Sequence, residues 1–184
     1  MSDNEFIMIS GVRVSFPRLF SPEERDGKVY KCGATLLLDA KKHAKAIAQI
    51  EASIGEMAAS KFKGRKLPSD KLCLRDGNDQ GRPEYEEHLT LSTNSRTRPI
   101  VLRGDGKTRI EDEADSAIYA GCYVNAKVRL WAQDNKYGKR INAELIAIQF
   151  HSDDEPLDGS YVSEEDAVSG FDAVDGDNDD FLAA

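Results

Sequence analysis

In the stretch Cys122 to Gln133 (CYVNAKVRLWAQ) every second residue is apolar: Cys122, Val124, Ala126, Val128, Leu130 and Ala132. Between them stand Tyr123, Asn125, Lys127, Arg129, Trp131 and Gln133. Strict alternation predicts a β-strand with one face in a core. The other face then carries two cations, two large rings and two amides. Cations neutralise phosphates and flat rings stack on unpaired bases, each stack being worth about 1–3 kcal/mol whatever the base. The chemistry this spacing supports is non-covalent capture of a single polynucleotide strand. The turn that follows, DNKYGK from Asp134 to Lys139, sets Tyr137, Lys136 and Lys139 at a hairpin tip, and Arg140 extends the basic set. Arg65, Lys66, Arg96 and Arg98, in predicted loops, are secondary candidates for binding the same strand. A plainer alternative has Tyr123 and Trp131 packed beneath a helix or loop, with Lys127 and Arg129 covering them.

The elements that would position this face are mostly strands. Phe6 to Phe16 (FIMISGVRVSF) is rich in β-formers, with Gly11 inviting a bulge and Pro17 and Pro22 ending the run. Lys28 to Leu38 (KVYKCGATLLL) reads as a second strand after a turn at Asp26 and Gly27. Asp39 is a candidate N-cap for one helix, Ala40 to about Lys61, in which Ala44, Ile47, Ala48, Ile50, Ile54, Met57 and Ala58 recur at helical spacing. Phe62 to Glu87 is a long connection rich in Gly, Pro and charge. Strands return at Leu89 to Ser95, Ile100 to Arg103, Gly121 to Gln133 and Arg140 to His151. The expected architecture is mainly β with one substantial helix.

Charge is divided by position. From Ser152 to Ala184 there are 12 Asp or Glu and no Lys or Arg, which leaves the first 151 residues with 25 basic against 21 acidic side chains. A mildly basic body joined to a strongly acidic tether suits a polyanion-binding domain that carries its own competitor. The tether has too few large apolar residues to offset its ordering entropy, so residues 159–184 are expected to be disordered and residues 1–158 to form one domain. No basic-then-apolar leader opens the chain and no run approaches a membrane span, so the expected setting is the cytoplasm. Three widely spaced cysteines, Cys32, Cys73 and Cys122, predict reduced thiols rather than a disulfide framework or zinc site.

Enzymatic and metal-binding readings find little. GxxxxGK[ST], GxSxG, HExxH and GxGxxG are all absent. His151 near Asp153, Asp154 and Glu155 is a weak hydrolytic-metal pattern. Asp76 to Glu87 mimics a calcium loop in spacing, but Pro83 interrupts it and Pro68 and Pro83 argue against flanking helices. No cofactor, metal or catalytic residue is expected. An acidic DNA mimic remains as an alternative, although its carboxylates would be crowded into a tether instead of spread over a folded surface.

The run YAGCYVNAKVRLWAQDNKYGKRINAELIAIQFHSDDEPLDG (Tyr119 to Gly159), with RVSFPRLF at Arg13 to Phe20 and LCLRDGN at Leu72 to Asn78, resembles a phage family of single-stranded-DNA-binding proteins. The resemblance implies an OB-fold, a five-stranded barrel with a helix and long loops, that binds single-stranded DNA in phage replication or recombination without catalysis, inside an infected bacterial cell. The tip Asp177, Asn178, Asp179, Asp180, Phe181, Leu182 is similar to the acidic tips by which single-strand-binding proteins dock replication and repair partners. It departs from them in having Leu182, Ala183 and Ala184 after the aromatic. Self-association is left open.

Overall fold

The computed structural model describes residues 5–157 and 164–174. In chain order these form β1 (Ile7–Arg18), β2 (Glu23–Arg25), β3 (Lys28–Tyr30), β4 (Gly33–Leu38), α1 (Ala44–Lys61), β5 (Leu74–Asp76), β6 (Leu89–Asn94), β7 (Ile100–Leu102), β8 (Tyr123–Asn135), β9 (Gly138–Ser152) and α2 (Glu164–Val168). Five of the strands close a barrel. β1 pairs antiparallel with β4 and β8, β4 with β6, and β8 with β9, while β6 meets β9 in parallel. Numbered within the barrel, the order is first, second, third, fifth, fourth and back to the first, the Greek-key closure of an OB-fold. β5 and β7 extend the sheet outside the barrel, and β2 with β3 makes a separate hairpin in the loop between the first two barrel strands.

The alternation in β8 holds as expected: Val124, Ala126, Val128 and Leu130 are buried, and Tyr123, Asn125, Lys127, Arg129 and Trp131 are half-buried on the outer side. Inside the barrel these apolar residues meet Ile9, Val12, Val14, Leu36, Leu38, Leu91, Ile141, Leu145 and Ile148. Gly11 sits at the expected irregularity, where the β1–β8 register shifts between Ile9 and Val12. Its φ of +61° is one that glycine adopts freely.

Several boundaries differ from expectation: β1 continues past Pro17 to Arg18, β5 lies within the expected connection Phe62–Glu87, and β8 and β9 run further into their hairpin, to Asn135 and from Gly138. The anticipated strand at Lys28–Leu38 is split at Lys31 and Cys32, because Lys28–Tyr30 turns away to pair with Glu23–Arg25. The helix begins at Ala44, not Ala40. Asp39 caps the turn before it, its carboxylate accepting from the amides of Lys41 and Lys42 at 2.8 and 2.9 Å. Those bonds hold the Asp39 carboxyl below the ordinary value. The buried stripe of α1 is Ala46, Ile47, Ile50 and Met57, while Ala44 and Ala48 face outward.

The seam between β6 and β9 contains little main-chain pairing. Thr93 and Ala143 form its one strand pair. Beside it Cys73 is wedged in, its amide donating to Ile141 O (3.0 Å) and its carbonyl accepting from Ser92 N (3.0 Å). Burial pushes the Cys73 thiol up to about 12, so it stays protonated and packs as a small apolar group. Thr93 Oγ1 donates to Ala34 O (2.7 Å) and accepts from Ala34 N (3.0 Å), and Ser95 Oγ donates to Leu145 O (2.7 Å).

Candidate nucleic-acid interface

That seam is the floor of a cleft. Trp131 and Gln133 on β8, Asn142 and Ala143 on β9, Asn94, Ser95 and Arg96 at the end of β6, and Val29, Tyr30 and Lys31 from the β2–β3 hairpin line about 340 Å³. Two cations and two large rings are among these residues, and no carboxylate. Arg96 lies over Trp131, its guanidinium carbon 4.6 Å from the ring centroid. Ser95, buried and bonded on both sides (N to Cys32 O, 2.7 Å; Oγ to Leu145 O, 2.7 Å), fixes the backbone from which Arg96 springs. Asn142 Nδ2 donates to Gln133 Oε1 (3.1 Å), holding the two amides in place beside the ring.

From Tyr30 a ladder of alternating rings and guanidiniums runs away from the cleft. Arg18 and Arg25 lie 5.8 and 4.5 Å from the Tyr30 centroid, Arg25 and Arg82 lie 4.7 and 4.5 Å from Phe16, and Arg82 lies 5.8 Å from Tyr85. Burial, and secondarily Arg25, lowers the Arg18 pKa from its ordinary value. Tyr85 is buried, with its hydroxyl 3.0 Å from Ser15 Oγ. Phe16 is held at φ +49°, a left-handed conformation uncommon for a large side chain. Residue-by-residue reading of the sequence missed Phe16, Tyr30, Arg25 and Arg82. For Phe16, Arg25 and Tyr30 the signal was present as cations and rings interleaved through Arg13–Tyr30, but those residues fall on no single strand face; Arg82 arrives from a distant segment.

The remaining outer residues of β8 are placed apart from Trp131. Tyr123, at the opposite end of the strand, meets the acidic segment after β9. Burial, followed by its hydrogen bond to Asp154, raises its pKa. Arg13 ties the same segment to the turn before β8, donating to Glu155 O (2.7 Å) and to Gly121 O (2.9 Å). Asn125 serves the β1 bulge: its Oδ1 accepts from Gly11 N (2.8 Å) and its Nδ2 donates to Gln149 Oε1 (2.9 Å). Arg129 pairs with buried Glu144 at 2.6 Å. Lys127 lies 5.3 Å from the centroid of exposed Phe6.

At the other end, the β8–β9 hairpin presents Tyr137 at its tip, 73% exposed, with Lys136 Nζ 5.0 Å from its ring. Arg140 is opposite Gln133 in register, on the Trp131 side, whereas Lys139 is opposite Asp134 and bridges to it at 3.6 Å. Arg98 sits away from Trp131, over Phe20 (5.0 Å) and bound to Glu111. The tip residues Asp177, Asp179, Asp180, Phe181 and Leu182 lie outside the described residues.

A barrel of this topology with an aromatic, carboxylate-free cleft beside the loop between its first two strands matches where OB-folds take up oligonucleotides. The family described as the single-stranded-DNA-binding protein of Enterobacter phage Enc34 matches residues 5–182. The chain belongs to this family. It is 31% identical over 176 residues to protein p50 of Acyrthosiphon pisum secondary endosymbiont phage 1, covering 90% of this chain and 92% of that one. It is also similar to the structure of the Enc34 single-stranded-DNA-binding protein in complex with single-stranded DNA, at 35% identity and a TM-score of 0.74, with 83% of this chain and 89% of that chain covered. The crystal structure of gp2.5, the single-stranded-DNA-binding protein of bacteriophage T7, shares the fold at 12% identity and a TM-score of 0.51, over 89% of this chain and all of that one. The family is one of binding proteins and not of enzymes. Among the described residues, no helix is long and apolar enough to cross a membrane.

Proposed function

We propose that this chain binds single-stranded DNA with little sequence preference, in the cleft between the β2–β3 hairpin, the Asn94–Arg96 segment and the β8–β9 hairpin. The observation that carries this reading is the Trp131 ring, held in a cleft free of carboxylates with Arg96 over its face. Membership of the Enc34 family, and a relative of that name whose structure includes single-stranded DNA, support it. A partly exposed cation over a ring contributes about 0.5–1 kcal/mol, whereas a stacked base contributes about 1–3 kcal/mol. A base therefore displaces the guanidinium, and the released Arg96 turns to a phosphate. Tyr30 offers the opposing wall, Lys31 and Arg140 flank the path, and Tyr137 stacks a further base at the hairpin tip. Lys127 and Tyr123, further along the outer face of β8, contribute to a longer bound strand, whereas Arg129 and Asn125, tied to Glu144 and to the β1 bulge, chiefly fix the shape of that face.

Trp131 is the sole tryptophan in the chain, so its fluorescence reports on this cleft directly. Titration with oligo-dT is expected to quench it strongly, and duplex DNA of equal length far less. Equal quenching by both, or none by either, would remove the basis of the assignment.

In the infected bacterial cell the protein serves phage replication or recombination by coating exposed single strands. Its acidic tail competes with DNA for the basic surface and, once displaced, recruits replication or recombination proteins through Asp177, Asp179, Asp180, Phe181 and Leu182. Ending the chain near Asp158 is expected to tighten oligo-dT binding at low salt, by an amount that fades as salt screens the tether. An affinity that does not change on truncation would defeat the competition.

A further inference from the structure

A second basic groove lies on the other side of the β8–β9 hairpin. Lys61, Phe62, Lys63, Gly64, Arg65, Asp134 and Lys139 line a volume of about 700 Å³. Asp134 is the one carboxylate among these residues, and it is paired with Lys139 at 3.6 Å. Lys61, in the last turn of α1, complements the negative end of the helix dipole. Lys63 and Arg65 lie beyond that turn and are exposed.

The chain brings these cations to the hairpin by a specific fold. Lys63 and Gly64 both take positive φ, +55° and +78°. The reversal is held by Gly64 N donating to Ala58 O (2.9 Å) and Arg65 N donating to Phe62 O (3.0 Å). Phe62, 3% exposed, forms the floor, with Lys139 Nζ 5.4 Å from its centroid. Sites for small organic ligands are mainly apolar, whereas cations dominate this lining.

The two grooves share one hairpin. Gln133 and Arg140 form the rung facing the Trp131 cleft, and the next rung, Asp134 and Lys139, faces the α1 groove, with exposed Lys136 and Tyr137 at the tip between them. Cations therefore recur from Arg140 through Lys136 and Lys139 to Lys63 and Arg65, with Asp134 the one carboxylate among the groove residues. On the basis of the single-strand reading above, we propose that the groove lined by Lys61, Lys63, Arg65 and Lys139 is a second track, which holds the phosphate backbone of a strand after it leaves the Trp131 cleft and rounds the hairpin tip. A phosphate-tracking groove without exposed rings adds length and salt dependence to the footprint and reads no bases.

The test uses the full chain carrying Lys63→Gln and Arg65→Gln, two exposed positions, with an unchanged thermal melt as the folding control. Binding is measured against oligo-dT of about 4 nucleotides, near the lower limit of OB-fold sites, and of about 20, beyond the upper limit. The expected result is unchanged affinity and Trp131 quenching with the short probe. With the long probe, affinity should fall roughly tenfold and the salt slope should drop by about 1.4, at about 0.7 per lost phosphate contact. Equal losses for both lengths, or no loss for either, would overturn the second track. Tighter binding of the long probe at low salt would also overturn it, by marking the groove as the seat of the acidic tail. If the unaltered protein shows no quenching at all, the cleft assignment itself fails, a result separate from these.

Discussion

Trp131→Ala is expected to weaken binding of a labelled oligo-dT by about 1–3 kcal/mol, roughly 5- to 150-fold in Kd. The readout is fluorescence anisotropy of the label, since the substitution removes the protein's own reporter. The loss should be nearly the same at low and high salt, because a stacked ring releases no counterions. Arg96→Ala is the complementary case: removing one cation should lower the salt slope by about 0.7 while leaving the ring face open to a base. Trp131→Phe keeps a smaller ring in the cleft and should recover much of the affinity. Trp131 is half-buried, so each variant needs a melting curve beside it. If Trp131→Ala binds as the parent does while remaining folded, the cleft beside the β2–β3 hairpin is not where bases stack.

A large effect on stability is expected at Gly33, between the barrel strands β4 and β6. A Cβ built there would lie 2.1 Å from Thr93 O and 2.9 Å from Asn94 Cα, and both are backbone atoms of the adjacent strand. Neither can rotate aside. Relief requires β6 to move from β4, which breaks the bonds between Thr93 Oγ1 and Ala34 and pulls on the segment that carries Ser95 and Arg96. Overpacking costs about 1–3 kcal/mol, and contact with backbone that cannot rotate aside puts this case at the upper end, about 3 kcal/mol. For a chain of this size, that amounts to a fall in Tm of roughly 6–12 °C. Gly55→Ala is the internal control. Gly55 lies in α1, is exposed, and has nothing within 4 Å of the added carbon, so it should gain about 0.5–1 kcal/mol from helix propensity. A Gly33→Ala protein melting within about 2 °C of the parent would show that β4 and β6 are not packed this closely.

The sequence reveals a face more readily than a position along it. Period-two alternation told which side of β8 is core, because one misplaced residue would bury a charge. It gave no indication that Tyr123 and Trp131, eight residues apart and so about 26 Å along a strand, have different surroundings. One is strapped by Arg13 and the acidic segment, and the other is open beneath Arg96. The bulge at Gly11 was legible because a glycine inside a β-rich run has few other uses. The break at Lys31–Cys32 was not, because KVY and GATLLL are both good strand text and only the competing partner Glu23–Arg25 separates them. The ladder through Phe16, Arg25, Tyr30 and Arg82 draws on segments far apart in the chain, and no local pattern announces such a meeting. OB-fold closure was expected from family resemblance. The strands themselves were visible, but their parallel contact at Thr93 and Ala143 was not.

That sparse contact has a consequence for occupancy. The cleft straddles the joint, with Asn94 to Arg96 on one bank and Asn142 and Ala143 on the other. A polymer lying across both banks would act as a clasp on the ring of strands, since the wall could not spring apart there without first shedding its guest. Part of the affinity for the guest would therefore appear as resistance of the empty protein's weakest joint to opening, and the protein would be mechanically firmest while it is loaded.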